Sequence, residues 1–257
     1  MSKHFTKPFN PIEWPAVPHD FTGDNNLGLS TSDTVQRFVC GTRHLAWDGS
    51  VYKYGKASAV MTSYQAGAKF TDTAADVTYA ALPLSTGAGS RSVTVTLGTA
   101  AEDLYQGGIL TIFYSGTGDG TTFLVQGNDE TNGTTTKLYL DRPLPVTTTA
   151  TTHSMELFPN PYMAIAQNVA TGESVVGPPM AIIASGSYGW FKTRGPAFIS
   201  AQANVGLAYT QAVYWRHDGG VDVGTSAGAA FVTDQYAGYS LCDGSTAGPI
   251  IMLCGSF

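Results

Sequence analysis

Charged side chains are scarce in this chain of 257 residues, at 12% of the total, which is about half the usual share of about 25%. Thirteen Lys and Arg residues stand against nineteen Asp and Glu residues, so the formal net charge is −6. A protein that holds nucleic acid through its phosphates needs many Lys and Arg contacts. A disordered chain needs low hydrophobicity, whereas 43% of these residues are hydrophobic. Composition therefore excludes a basic nucleic-acid-binding module and a disordered tail.

Paired cysteines and long apolar runs are also missing. The three cysteines are Cys40, Cys242 and Cys254, and no two of them have the CxxC spacing of a zinc site. We expect buried thiols in a protein made in a reducing cytoplasm, with a Cys242–Cys254 disulfide as the open alternative. No stretch of about 18 apolar residues occurs, so we expect no transmembrane helix and no membrane partner. Residues 1–10 also lack the apolar core of a signal peptide.

One motif matches a catalytic pattern. Residues 224–228 read Gly-Thr-Ser-Ala-Gly, which fits the G-x-S-x-G nucleophile elbow of serine hydrolases. That elbow requires a strand, a tight turn and a packed helix, followed later in the chain by an acid and a histidine. No histidine occurs after His217, so no general base follows Ser226. We predict that Ser226 is structural and that the protein is not an enzyme, with a serine hydrolase as the remote alternative.

Signatures of metal and cofactor sites are equally weak. The histidines never occur at HxH or HExxH spacing, and the acids of the polar loops lack the repeating pattern of a calcium loop. Residues 116–120 are rich in glycine but contain no Lys-Ser/Thr pair for a phosphate. The residues considered are His4, His19, His44, His153, His217, Asp119, Asp129, Glu130 and Asp141. The sequence thus predicts no metal ion, no cofactor and no catalytic set.

Strand and turn patterns dominate from residue 31 onward. Residues 91–97 alternate, which places Val93, Val95 and Leu97 on one face of a strand. Residues 108–114 and 121–126 flank a glycine-rich tip, which is the pattern of a β-hairpin. Since no segment sustains the apolar face of a helix, the predicted class is all-β. Further strands are predicted at residues 49–55, 137–140, 180–183, 189–193, 212–215 and 249–253. Residues 71–81 could form a short turn.

The first 30 residues differ in composition from the rest of the chain. Prolines recur every three or four positions between residues 8 and 18, and proline at this density favours extended backbone. The apolar rings among them would be costly to leave in water. We therefore expect residues 1–30 to form an extended arm. Its Phe5, Phe9 and Trp14 are the candidate interface residues, free to fill pockets on a neighbouring protein.

Two β domains are predicted to follow the arm. Residues 31–84 and 161–257 form an outer domain, expected to be a β-sandwich or barrel-like. Residues 85–160 have their own strands and turns and are expected to form a smaller β-barrel inserted into the outer domain. Turns at residues 160–162 and 177–179 mark the return to the outer domain.

Four short phrases between residues 49 and 240 carry a resemblance to a known group of proteins. They are residues 49–57, residues 107–120, residues 138–145 with 160–162, and residues 188–191 with 238–240. In this order they resemble the head accessory proteins of tailed bacteriophages, known as decoration or cement proteins. The resemblance implies a β-rich structural protein, often trimeric, that sits on the capsid exterior.

We therefore expect a virion protein, made in the host cytoplasm, that binds the capsid surface and stabilises the capsid. Its expected partners are the major capsid protein and further copies of itself, without direct contact to nucleic acid. Few charges and 11% aromatic residues predict a symmetric homo-oligomer, with a trimer as the first expectation. The alternative is a carbohydrate- or receptor-binding β module of a tail spike or fibre. In that alternative the tryptophans, which more often fill cores, stack on sugar rings; they are Trp14, Trp47, Trp190 and Trp215.

Overall fold

The structure is a computed structural model, and the chain divides in it into two compact units, with boundaries at Thr71–Asp72 and Pro161–Tyr162. We call residues 77–161 the small unit, and residues 29–70 together with 162–255 the large unit. The residues that the structure describes are 29–46, 48–61, 67–70, 77–114, 120–167, 174–201, 205–206, 211–216, 218–223, 232–242 and 250–255. The predicted arm therefore lies outside the described residues, except for its last two positions.

The fold is all-β, as the sequence predicts. All regular secondary structure in the described ranges is β-strand, and no helix occurs there. In chain order these strands are β1 (Arg43–Leu45), β2 (Val51–Lys56), β3 (Ala68–Phe70), β4 (Val77–Ala81), β5 (Ser92–Thr96), β6 (Ile109–Phe113), β7 (Gly120–Asn128), β8 (Thr135–Leu140), β9 (Ser154–Phe158), β10 (Ile165–Ala166), β11 (Val175–Gly177), β12 (Tyr188–Phe198), β13 (Ala212–Arg216), β14 (Val221–Asp222), β15 (Val232–Ser240) and β16 (Ile250–Cys254).

The small unit is one antiparallel sheet that curls around its own core. Its strand order is β4-β9-β6-β7-β8-β5, and one face of its strands supplies a single buried apolar cluster. Val93, Val95 and Leu97 all lie in that cluster, which confirms the predicted alternation. The predicted hairpin is confirmed too, because β6 pairs with β7 from Ile109↔Leu124 to Phe113↔Gly120.

The start of the small unit differs from the predictions. The sequence allows a short turn at residues 71–81, but Val77–Ala81 is strand β4, which pairs with β9 through Ala80↔Met155 and Ala81↔Ser154. A partner strand thus overrides a weak local pattern. The six-stranded sheet accordingly takes in residues before 85, the predicted start of the inserted domain.

The large unit is a sandwich of two sheets. The larger sheet has the order β1-β2-β12-β16-β15-β13-β14, and the smaller has the order β10-β3-β11. Val175 of β11 lies in one buried cluster with Trp215 and Ile251. Ile165 of β10 lies in a second cluster with Phe191. The two sheets therefore bury their facing side chains against each other.

One predicted strand of the large unit is wrong. Residues 180–183 form no strand, and Ile183 makes only an isolated bridge with Met61. The preceding Pro178 and Pro179 have no backbone N–H and cannot donate to a neighbouring strand. Ile183 is buried in the core, whereas the adjacent Ile182 is 63% exposed.

A buried amide fixes one corner of the small unit. The side chain of Asn128, at the end of β7, is fully buried. Its Nδ2 donates to the carbonyl oxygens of Ala101 and Asp129, both at 2.8 Å, and its Oδ1 accepts from the backbone N–H of Tyr105 at 2.8 Å. These bonds satisfy backbone groups of the loop before β6, which makes Asn128 the link between that loop and the sheet.

We predict that Asn128→Asp destabilises the small unit by about 3 kcal/mol or more at neutral pH. The aspartate keeps the acceptor for Tyr105 but faces two carbonyl oxygens without a proton to donate. The matched control is Asn132→Asp, because the exposed Asn132 uses its Oδ1 to accept from the N–H groups of Thr134 and Thr135. Urea unfolding measures both variants, and equal stabilities would contradict the assigned role of Asn128.

Candidate interaction surfaces

The residues singled out in the arm and the serine motif cannot be placed. Phe5, Phe9 and Trp14 lie outside the described residues, as does Ser226. Trp47 and His217 are outside them too. Their predicted roles stay predictions, and the surfaces described below come from other parts of the chain.

The described tryptophans and histidines are buried in cores or bonded within turns of their own chain. Trp190 and Trp215 are 2% and 3% exposed, so neither can stack on a sugar ring. His44 is buried, with its ring centroid 5.8 Å from that of Trp190. His153 accepts a hydrogen bond at its Nδ1 from the backbone N–H of Thr149 at 2.6 Å. These side chains therefore pack cores and close turns.

The described acids of the polar loops also bind groups of their own chain. Asp129 accepts from the hydroxyl of Tyr139 at 3.1 Å. The Oδ1 of Asp141 accepts from the backbone N–H of Leu124 at 3.0 Å. No group of three or more His, Cys, Asp or Glu that could hold a metal ion occurs within the described ranges.

The cysteine expectation holds for one residue of three. Cys40 is buried, but Cys242 and Cys254 are exposed. The register Ser240↔Ile251 of β15 and β16 places Cys242 and Cys254 at opposite ends of the pair, on the order of 16 Å apart at the usual rise per residue. A disulfide requires Cα atoms within about 7 Å, so the Cys242–Cys254 alternative is excluded.

The outward side of the large sheet carries a continuous apolar surface. Its first row is Phe198 opposite Ile250, with Leu241 beyond, and its second is Pro196–Met252–Tyr239. Directly opposed residues of antiparallel strands share a face, so these side chains project together. The next residues of β16, Ile251 and Leu253, point inward and are buried. We define the large-unit face by its exposed large hydrophobic members, which are Phe198, Tyr236, Tyr239, Leu241 and Ile250.

A β-bulge brings the two tyrosines to the same side. Residues three apart in a regular strand point to opposite faces, yet Tyr236 and Tyr239 are both exposed. The register of β13 with β15 shifts between Val213↔Gly238 and Tyr214↔Tyr236. One extra residue on β15 is thereby accommodated, and Ala237 is left buried.

Close contacts among the tyrosines follow from this bulge. The rings of Tyr214 and Tyr236 meet edge to face, with centroids 5.7 Å apart. The pKa of Tyr236 is raised, first by partial desolvation and then by its neighbours Cys254, Tyr214 and Tyr239. Tyr236 is therefore a neutral phenol at physiological pH.

A buried lysine supports β12 where it enters this surface. The register of β12 with β2 shifts between Lys192 and Arg194. The Lys192 ammonium donates to the carbonyl oxygen of Pro196 at 2.6 Å and lies 5.4 Å from the ring centroid of Tyr52. Burial lowers the pKa of Lys192, and the charge of Asp48 opposes that shift. The lysine thus ties the two halves of β12 together.

The small unit has an apolar row of its own. Phe158 lies opposite Ile109, and Ile109 lies opposite Leu124. Ile109 and Phe158 are both 41% exposed, and Leu124 is half-buried. We call these three residues the small-unit row.

Polar groups border the small-unit row. Thr111 and Thr122 lie opposite each other in the adjoining row, with their hydroxyl oxygens 3.1 Å apart, and Glu156 completes that row. Arg142 donates to the carbonyl oxygen of Thr122. The small-unit row is therefore an apolar strip with hydroxyls and charges of both signs beside it.

Sequence reasoning missed both surfaces for a physical reason. It identifies β6, β7, β16 and the first part of β12, but neither β9, which carries Phe158, nor β15, which carries Tyr236 and Tyr239. Residues 249–253 are apolar at nearly every position, so alternation does not separate inside from outside there. The bulge in β15 has no local signature apart from Gly238. In the small unit, the alternation of residues 108–114 does contain Ile109, which is an apolar residue on the polar side of its strand.

Comparisons with known proteins give no information on these surfaces, which are therefore interpreted from their own residues. No family model, no curated protein and no solved structure matches the chain. Within the described ranges there is no helix that is long and apolar enough to cross a membrane.

We predict that Gly238→Ala disrupts the bulge and destabilises the large unit by about 3 kcal/mol or more. Gly238 has φ +149°, and an added Cβ would collide with the carbonyl oxygen of Met252. The control is Gly49→Ala, because Gly49 has φ +81° with open space at the Cβ position. That change should cost only about 1 to 2 kcal/mol. Thermal unfolding of both variants is the measurement, and a Gly238→Ala protein as stable as Gly49→Ala would contradict this role for the bulge.

Proposed function

We propose that this chain is a decoration protein of a tailed-bacteriophage head, which binds the outside of the capsid and stabilises it against internal pressure. The observation that carries the proposal is the small-unit row, an exposed apolar strip with a polar border on a rigid sheet. Such a surface suits attachment to another folded protein. The four sequence phrases that resemble decoration proteins, in the order in which they occur, favour a capsid as the partner.

The chemistry of the small-unit row fits a partner that folds independently. Interfaces between separately folded proteins have an apolar centre and a polar rim. Phe158 and Ile109 supply the centre, while Glu156, Arg142 and the hydroxyls of Thr111 and Thr122 supply the rim. A coat-protein shell presents a rigid and repeated partner surface, so each contact can be small and still sum to firm attachment.

The N-terminal arm is proposed as a second attachment. The prolines between residues 8 and 18 favour extended backbone, and an arm that is already extended would lose less entropy when it docks. Phe5, Phe9 and Trp14 would then fill pockets on the coat protein or on a neighbouring copy. Burying one such ring fully is worth on the order of 2 kcal/mol, so the arm would add substantially to attachment.

We predict that Ile109→Glu weakens binding to empty phage heads that lack this protein by at least tenfold, or ~1.4 kcal/mol. The substitution puts a carboxylate at the centre of the small-unit row, where docking would strip its water. The measurement is co-sedimentation of the full-length chain with the heads, with folding checked by circular dichroism. The matched control is Val146→Glu, because Val146 is 45% exposed in the same unit and lies outside the row.

Unchanged binding of Ile109→Glu would contradict the role of the small-unit row. Failure of the unaltered protein to bind any heads, or to protect them from heat, would contradict the proposed function itself. A variant lacking residues 1–28 tests the arm separately, because the row is intact in it. Binding as tight as that of the full chain would remove the arm from the proposal.

The exposed tyrosines give the carbohydrate-binding alternative one supporting observation. Tyr236 and Tyr239 lie together on the large-unit face, and exposed rings can stack on sugars. The row of Tyr239 continues with Met252 and Pro196, and the adjoining row is Leu241, Ile250 and Phe198; none of these side chains offers a hydrogen bond to a sugar hydroxyl. Saturable binding of host surface polysaccharide, lost in Tyr236→Ala, would favour this alternative over decoration.

A further inference from the structure

We propose that the large-unit face is the surface through which copies of this chain associate with one another. The occupant of the face is thus a second copy of the chain, which presents the same surface about a two-fold axis. This contact makes a dimer, not the trimer that is the first expectation from the sequence. The inference does not depend on the proposed function, because it concerns the protein alone in solution. It names a surface for the homo-oligomer that the composition predicts.

The charge of the face restricts its occupant. Arg194, opposite Cys254, is the charged side chain in the rows that β12, β16 and β15 form together. The row of Tyr236 continues through Tyr214 to Asp222, whose carboxyl group is buried. The remaining outward positions of these rows are aliphatic residues, proline, methionine, tyrosines and a cysteine. A nucleic acid or an acidic peptide would find a single cation, Arg194, across these rows, whereas such partners need many basic contacts. The fitting partner is uncharged and apolar.

The area of the face matches an interface between proteins. Its five members are between 40 and 49% exposed, which amounts to roughly 450 Å² if each side chain offers on the order of 200 Å². A standard interface buries about 800 Å² per partner, of which about 57% is apolar. The apolar area that such an interface requires is therefore about the area that the face exposes.

A second copy satisfies these requirements better than a foreign protein. Interfaces between identical subunits are more apolar than other interfaces, at about 65%. Among the described residues, the rows of the large-unit face on β12, β16 and β15 carry one charged side chain, Arg194, whereas charges of both signs lie beside the small-unit row. Symmetry sets like residues near one another, which is costly for charges. Here both sides of a two-fold contact draw on the same set of tyrosines and aliphatic residues. Stacked sheets about 10 Å apart are a common arrangement of such surfaces.

The first test measures the mass of the full-length protein in solution by sedimentation and light scattering. We expect the unaltered protein to be an oligomer at micromolar concentration. Leu241→Glu should shift it to monomer, because the carboxylate would be buried without a partner. The control Ile182→Glu changes a 63% exposed residue outside the face and should leave the mass unchanged.

A second measurement uses the native thiol next to the face. In a Cys242→Ser background, Cys254 should react slowly with a maleimide in the oligomer and at least tenfold faster after Leu241→Glu. Ile250→Lys provides a second disrupting variant, and circular dichroism confirms that each variant is folded. A monomeric unaltered protein, or a folded Leu241→Glu protein of unchanged mass, would overturn the proposal.

The outcome can be separated from that of the proposed function. Leu241→Glu retains the small-unit row, so a monomeric variant should still sediment with empty heads, although with lower avidity. Loss of the oligomer with retained head binding supports both proposals. If Leu241→Glu stays an oligomer while Ile109→Glu loses head binding, the large-unit face is not the self-contact. The proposed function would still stand.

Discussion

The burial of Ile251 and Leu253 is the interaction on which the described surface of the large unit depends. Both side chains lie in the core with Trp215 and Val175, and this fixes which way β16 faces. Because pairing in an antiparallel sheet repeats every two residues, a shift of one residue would turn the whole set outward. The outward positions of β12 and β15 follow from the same register. The core thus determines a surface that it does not itself touch.

The two units are both built on antiparallel sheets, but they cover the apolar side chains of those sheets in different ways. The small unit curls until its own inward side chains fill the core, so its outward face is free for polar residues and a short apolar strip. The larger sheet of the large unit packs against a second sheet on one side and remains apolar on part of the other. A sheet with apolar residues on both sides is typical of strands covered on both sides. This difference is why the two surfaces are proposed to have different partners.

Part of this architecture could be predicted from the sequence. The alternation of Val93 and Val95 identifies an inward face, and two β runs around a glycine-rich tip identify a hairpin, because both signals are local. Strand β4 and the irregular chain at Ile183 could not be predicted in this way. The first depends on its pairing with β9, and the second on the loss of donors at Pro178 and Pro179. The large-unit face depends on register across four strands, which no single segment encodes.

The bulge in β15 has a consequence for how such a surface can change over evolutionary time. Removing one residue at Ala237 would restore strict alternation, so one of the two tyrosines would turn toward the core and the exposed ring cluster would be lost. A single-codon deletion could therefore remove the exposed tyrosine pair from the large-unit face without any amino-acid substitution. Among related chains, the length of the segment between Val232 and Ser240 would then report on assembly better than the identity of the residues within it.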